Sequence, residues 1–209
     1  MPPQDSWSNH YLEAQFRPHS HLVESAAKAC TGRRHVLDLG AGSLNDCKFL
    51  LQEGFWVHAV DSEPDFARMA KLLKRREAKF TFEQTDFKDL ILPEDHYQIV
   101  VGIQSLNFCR ADKFDAFMDT VTASVEPMGK FVGVIYGERD DYRRMRPSGC
   151  YPSEQKLSAL FARGGMEIIA QTHDEYDDPA SEDFFKHRHM IYLAAVRTKM
   201  LRGPTLAGR

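Results

Sequence analysis

Val36-Leu37-Asp38-Leu39-Gly40-Ala41-Gly42-Ser43 is an apolar strand that runs into two glycines and then into a helix beginning at Leu44 or Asn45. Strand, turn and helix follow one another without a spacer, as in the turn that receives a nucleotide in a parallel α/β sheet. Glycine permits positive φ and leaves no Cβ in the path of a ligand, which is what such a turn needs at Gly40 and Gly42. A tight turn with no ligand would use the same residues, so the next strand decides. It ends in Val60-Asp61-Ser62, 21 positions after Gly40. A carboxylate at that strand tip can accept hydrogen bonds from both hydroxyls of a ribose.

Adenosine ribose occurs in both NAD and S-adenosylmethionine, and three residues separate the two. Asn45 stands where the dinucleotide fingerprint wants a small residue, and Asp46 puts a negative charge near the helix start that would receive pyrophosphate. Asp38 adds a further carboxylate, unfavourable beside a diphosphate and acceptable beside a sulfonium and an ammonium. The local electrostatics favour a cationic ligand.

With Asp38, Gly40 and Gly42 in the form acidic-x-Gly-x-Gly, the chain resembles the class I S-adenosylmethionine-dependent methyltransferases. The resemblance implies that Asp61, with Ser62, binds the ribose, that Asp86-Phe87 holds the adenine, and that Ile103-Gln104-Ser105 approaches the cofactor. Ala41 lies within the glycine turn. Leu44 departs from the family, which often has a third glycine there. Gly137-Glu138-Arg139-Asp140-Asp141 and Lys186-His187-Arg188-His189 resemble the small-molecule, tellurite-resistance-type branch.

Outward from the glycine turn, short apolar runs alternate with helical patterns, which predicts an α/β Rossmann-like three-layer sandwich. Strands are expected at His35–Leu39, Phe55–Val60, Lys79–Gln84, Gln98–Ile103 and Lys130–Tyr136. Helices are expected at Ser20–Cys30, Leu44–Glu53, Glu63–Arg76, Lys113–Val125 and Ser153–Arg163. Met166–His173 and His189–Arg197 then form an antiparallel hairpin that completes a mainly parallel, seven-stranded sheet. One domain is expected over residues 1–209. Residues 1–34 form an N-terminal helical cover, 35–136 the cofactor-binding core, 137–198 the substrate-side loops and hairpin, and 199–209 a flexible tail. Met1–His19, with Trp7, Tyr11, Phe16 and Pro18, either folds over a ligand or simply packs. The acidic Asp174–Lys186 segment reads as a loop, either a lid near the active face or a solvated connection.

A net charge of -3 and the lack of a long basic block argue against a nucleic-acid partner. The clusters Lys74-Arg75-Arg76 and Arg143-Arg144-Met145-Arg146 read as solvated surface. Cys30, Cys47, Cys109 and Cys150 form no Cys-x-x-Cys pair, so neither a metal site nor a disulfide framework is expected. The N-terminus has no signal-peptide pattern and no apolar run is long enough for a membrane span, so a cytoplasmic protein is expected.

The resemblance implies methyl transfer by in-line displacement, in which the protein aligns an acceptor and excludes water. A small molecule is the expected acceptor. Where it must lose a proton, His187 or His189 is the expected base. Asn107 and Phe108, at the carboxyl edge of the sheet, would shape the acceptor pocket with Tyr136, Glu138 and Arg139. The alternatives are a non-catalytic methyltransferase-like binding module and an NAD-dependent oxidoreductase.

Overall fold

The first strand, β1 (His35–Leu39), is apolar on both sides: Val36, Leu37 and Leu39 are all fully buried. A strand of that kind belongs in the middle of a parallel sheet with helices on both faces. The computed structural model, which describes residues 14–178 and 187–198, places it there. β2 (Trp56–Asp61), β3 (Phe80–Gln84), β4 (Tyr97–Ile103) and β5 (Val125–Tyr136) run parallel to it, while β7 (His187–Arg197) pairs antiparallel with both β5 and β6 (Met166–Asp177). The order is β3-β2-β1-β4-β5-β7-β6. This is the Rossmann-like architecture, with the expected antiparallel hairpin at its C-terminal edge.

Period-two alternation sorts the strand residues into two layers. Val36, Val57, Ala59, Ile99, Val101 and Val132 pack on the helices α1 (His21–Lys28), α2 (Asn45–Gln52) and α3 (Pro64–Lys74). Leu37, Leu39, Val100, Phe131 and Ile135 meet α4 (Phe114–Ser124) and, beyond the short α5 (Tyr142–Met145), α6 (Glu154–Arg163). The sequence sets each helix start: Pro64 opens α3 without losing a needed N–H, and the Ser153 hydroxyl accepts a 3.2 Å bond from the Lys156 N–H at the start of α6. No helix among the described residues is long and apolar enough to cross a membrane.

Several boundaries differ from the sequence reading. β5 starts at Val125 rather than Lys130, because Met128 takes φ +68 and lets the chain bulge before the strand resumes its parallel register. Asp174–Asp177 belongs to β6, where Glu175 and Asp177 stand opposite His189 and His187 on β7, Glu175 pairing with Arg139 and Asp177 with His187. The acidic loop is correspondingly shorter. Its remainder beyond Asp178 lies outside the described residues, as do Trp7, Tyr11 and the 199–209 tail. Finally, α5 emerges in a stretch that reads as turns.

β1 and β4 are neighbours in the sheet although β2 and β3 lie between them in sequence. The connections after β1 and β4 therefore diverge, and they open a crevice at the carboxyl ends of these strands.

Candidate functional site

A cavity of about 790 Å³ occupies this crevice. Its floor is the glycine turn. Gly40 and Gly42 take φ of +72 and +49, and the Gly40 and Ala41 N–H groups donate to the Val60 carbonyl at 2.7 and 3.1 Å, pinning the turn to β2. A Cβ on Gly40 would lie 2.2 Å from that of Ser105, so the turn and the end of β4 meet only because residue 40 has no side chain. The Ser105 hydroxyl donates to the Leu39 carbonyl across the same junction. Leu44, where a third glycine is often found, adopts φ +66 itself, so the left-handed conformation is kept at some steric cost.

Asp61 reaches the cavity from the tip of β2, held by two backbone donors. Its Oδ2 accepts from Gly42 N at 2.9 Å and its Oδ1 from Glu63 N at 3.0 Å. Asp86 and Phe87 follow β3. Asp86 caps a 3-10 turn by accepting from Lys88 N at 3.0 Å, and Phe87 stacks on Phe117 with ring centroids 4.7 Å apart. Asp38, Ala41, Ser62, Ile103, Gln104 and Ser105 also line the cavity, so all the residues expected around the cofactor converge there.

Of the residues expected around the acceptor, Phe108 and Tyr136 line the cavity and the rest do not. Asn107 is fully buried and hydrogen-bonds Tyr136 and Cys150. Arg139 makes a bidentate pair with Glu175 at 2.7 and 2.9 Å on the exposed hairpin, with Glu138 beside it. Both histidines are also outside. Exposed His187 bonds Asp177 and Glu175, each at 2.9 Å, and these contacts raise its pKa. His189 is buried beside Arg139, and burial and then the Arg139 charge lower its pKa. Alternation along β7 accounts for these positions: the strand extends two residues further than the sequence suggests and engages both rings in hairpin contacts.

The cavity has further lining residues beyond those named for the cofactor and acceptor, some of them from the segment expected either to fold over a ligand or to pack. Ala14 and Arg17 to Leu22 cross the cavity mouth, tied down by the Asn45 amide donating to the Ala14 carbonyl at 2.7 Å and the Ser20 N–H to Asp46 at 2.7 Å. Pro18 is among them, whereas Phe16 is exposed. Val134, Tyr142, Arg146 and Tyr192 line the cavity as well, and Leu22 packs in one apolar cluster with Val134, Tyr142 and Tyr192. Their only sequence signal is proximity to the carboxyl end of β5.

Charge in the cavity is lopsided. Burial, reinforced by the charge of Asp46, pushes the Asp38 carboxyl up to about 8, against the lowering effect of a 3.0 Å hydrogen bond from the Cys47 thiol; Asp61 raises it further. Burial also raises the pKa of Asp46. Neither Asp38 nor Asp46 has a lysine or arginine within ion-pair distance among the described residues. Desolvated acids around a bare glycine turn suit a ligand that brings its own positive charge.

Residues 36–129 match the family model of the methyltransferase domain. Over that stretch, a little under half of the chain, the sequence is similar to a methyltransferase domain. No curated protein matches it in sequence. Among solved structures, the chain resembles the N-methyltransferase NodS of Bradyrhizobium japonicum WM9, in complex with S-adenosylhomocysteine. That pair is 12% identical with a TM-score of 0.70 over 93% of this chain and 98% of the other. The 1,6-didemethyltoxoflavin-N1-methyltransferase of Burkholderia thailandensis is 19% identical, with a TM-score of 0.65 over 94% and 82%. The cyclase SpnF also shares the fold, at 13% identity and a TM-score of 0.63 over 85% and 80%. Likeness at these identities is one of fold, and the cyclase shows that the site, not the fold, has to specify the reaction.

S-adenosylmethionine is the cofactor that this similarity points to, and the acidic end of the cavity fits it. Asp38 and Asp46 would meet its positive charge, Asp61 its ribose, and Asp86 with Phe87 its adenine. A pH dependence follows. Because the folded protein holds a proton on Asp38 up to about pH 8, a cationic ligand has to displace it below that pH. Cofactor affinity should therefore rise with pH by up to about tenfold per unit between about pH 6 and pH 8 and level off above. Calorimetry in buffers of different ionisation enthalpy should show one proton released at the low end, and Asp38→Asn should abolish both the slope and the release.

Proposed function

We propose that the protein transfers a methyl group from S-adenosylmethionine to a small molecule bound against Phe108, Tyr136, Tyr142 and Tyr192. The observation that carries this reading is one continuous cavity with the cofactor residues at one end and an aromatic wall at the other. Its volume falls within the roughly 300–1,000 Å³ typical of small-molecule sites. The cofactor supplies an electrophilic methyl group on a sulfonium. The chain's own task is to hold the acceptor in line and exclude water, for which the aromatic wall and the Ala14–Leu22 segment across the mouth are suited.

His187 and His189 have no part in this proposal. Where the acceptor carries a proton on its nucleophile, His19 and His21 are the histidines that line the cavity, and His19 is steadied by stacking on Phe49 at 3.8 Å. The division of labour proposed is a cover from residues 1–34, a cofactor core from 35–136 and an acceptor side from 137–198. The tellurite-resistance-type likeness rests on the loops around Gly137–Asp141 and His187–His189, which lie off the cavity, so it gives no guidance about the acceptor.

Thermal melts with S-adenosylmethionine, S-adenosylhomocysteine and NADH test the reading. Saturation with either of the first two should raise Tm by several degrees, and NADH should leave it unchanged. A rise with NADH alone would reassign the site to an oxidoreductase. No rise with any of them would favour a binding module that has lost its cofactor.

A further inference from the structure

Arg146 is the cation at the acceptor end of the cavity, and its side chain is poorly satisfied. Its Nε is buried with no hydrogen-bond partner, and its Nη2 reaches only the Phe108 carbonyl, at 3.5 Å. No carboxylate lies within ion-pair distance of it among the described residues. The other arginines of the same cluster are engaged elsewhere: Arg143 donates to the Glu138 carbonyl and Arg144 pairs with Asp141 at 3.3 Å. A guanidinium carries five donors, and leaving a buried one unused is costly, so such a group in a binding cavity calls for an acceptor.

The position of Arg146 is fixed independently of any ligand. Its N–H donates to the Tyr142 carbonyl at 3.1 Å, and its own carbonyl accepts from Gly149 N at 3.0 Å and from the Tyr151 hydroxyl at 3.2 Å. The guanidinium lies over the Phe108 ring, 4.6 Å from its centroid. Tyr136 and Tyr142, with centroids 5.4 Å apart, and Tyr192 line the same cavity. Asp38 and Asp61 lie near the ends of β1 and β2, and Asp46, Glu63 and Asp86 follow β1, β2 and β3, so the acids gather at the cofactor end. The charge of Arg146 is felt at Glu63, the acid nearest the divide, without forming an ion pair with it.

We infer that the methyl acceptor is a flat, ring-bearing small molecule with a carboxylate, which Arg146 binds through its planar fork while Phe108, Tyr136 and Tyr142 enclose the ring. This rests on the methyltransferase reading of the same cavity. The carboxylate would also orient the ring, because it places the negative group at the Arg146 end and the methylated atom toward the cofactor.

Matched acids and amides test it: 4-hydroxybenzoate against 4-hydroxybenzamide, salicylate against salicylamide, and anthranilate against anthranilamide. Binding is measured by calorimetry on protein saturated with S-adenosylhomocysteine. At least one acid should bind about tenfold or more tightly than its amide, the scale of a charge-assisted pair. R146Q should erase that preference while still showing a rise in Tm with S-adenosylhomocysteine, and R146K, which keeps the charge without the fork, should retain part of it. Equal binding of acid and amide, a preference that survives in R146Q, or no binding of any acid at millimolar concentration would each overturn the inference. Loss of S-adenosylhomocysteine binding by R146Q would move Arg146 to the cofactor end and overturn it too. Failure of the unaltered protein to bind S-adenosylhomocysteine would instead sink the cofactor reading, so the two failures are distinct.

Discussion

Asn107→Ala should lower the stability of the protein by about 3–5 kcal/mol, a fall in Tm of roughly 10 °C for a chain of this size. The side chain is fully buried and makes three bonds: Nδ2 donates to the Tyr136 carbonyl at 2.8 Å and the Cys150 carbonyl at 2.6 Å, and Oδ1 accepts from Tyr136 N at 2.8 Å. Truncation leaves three buried backbone groups without these partners and opens a small void, and each such group costs about 1–3 kcal/mol. Asn107→Asp keeps the acceptor, loses both donations and buries a charge, so it should be at least as damaging. Denaturant unfolding of the two variants measures the effect, and a change below about 1 kcal/mol would show that solvent replaces the clamp. The consequence for function is indirect. Asn107 joins the end of β5 to the segment after α5, which fixes Tyr136 relative to Arg146 and so sets the width of the acceptor end.

That clamp shows where sequence reasoning stops. Asn107 follows β4 at the carboxyl edge, where an acceptor pocket is expected, yet its side chain turns into the protein and bonds Tyr136 and Cys150. Direction after a strand end is a tertiary property. Local signals sufficed where the physics is local: β1 is apolar on both faces, the turn needs glycine at residue 40, and Asp61 stands at the tip of the adjacent strand. They failed for Arg146, because Tyr142–Met145 is too short to show an apolar period and backbone contacts with Tyr142, Gly149 and Tyr151 set the next residue. They failed again for Asp174–Asp177, whose acids have poor strand propensity alone. In the sheet, Tyr176 stands opposite Arg188, and Glu175 bonds both His187 and Arg139. The same pairing removes His187 from any role at the cavity.

Asp61→Ala should weaken S-adenosylhomocysteine binding by about 3 kcal/mol, or roughly 150-fold in Kd, the scale of two hydrogen bonds to a charged acceptor. The carboxylate is aimed before any ligand arrives, since Gly42 N and Glu63 N each hold one of its oxygens. The ribose hydroxyls are the ligand donors expected at this carboxylate. The substitution also leaves those two N–H groups without their acceptor, at a cost of about 1–2 kcal/mol to the ligand-free protein. Loss of stability alone does not lower affinity while the protein remains folded, so the two effects separate when binding is measured by calorimetry well below Tm. The hydroxyl contacts can then be isolated from general damage to the turn by a cycle that pairs the protein change with 2′-deoxy S-adenosylhomocysteine. If Asp61 holds the ribose, removing the hydroxyl should weaken binding to the unaltered protein and make little further difference to Asp61→Ala. Additive losses would mean that Asp61 only braces the Gly42 turn, and the ribose would have to be reassigned to another donor set on the cavity wall.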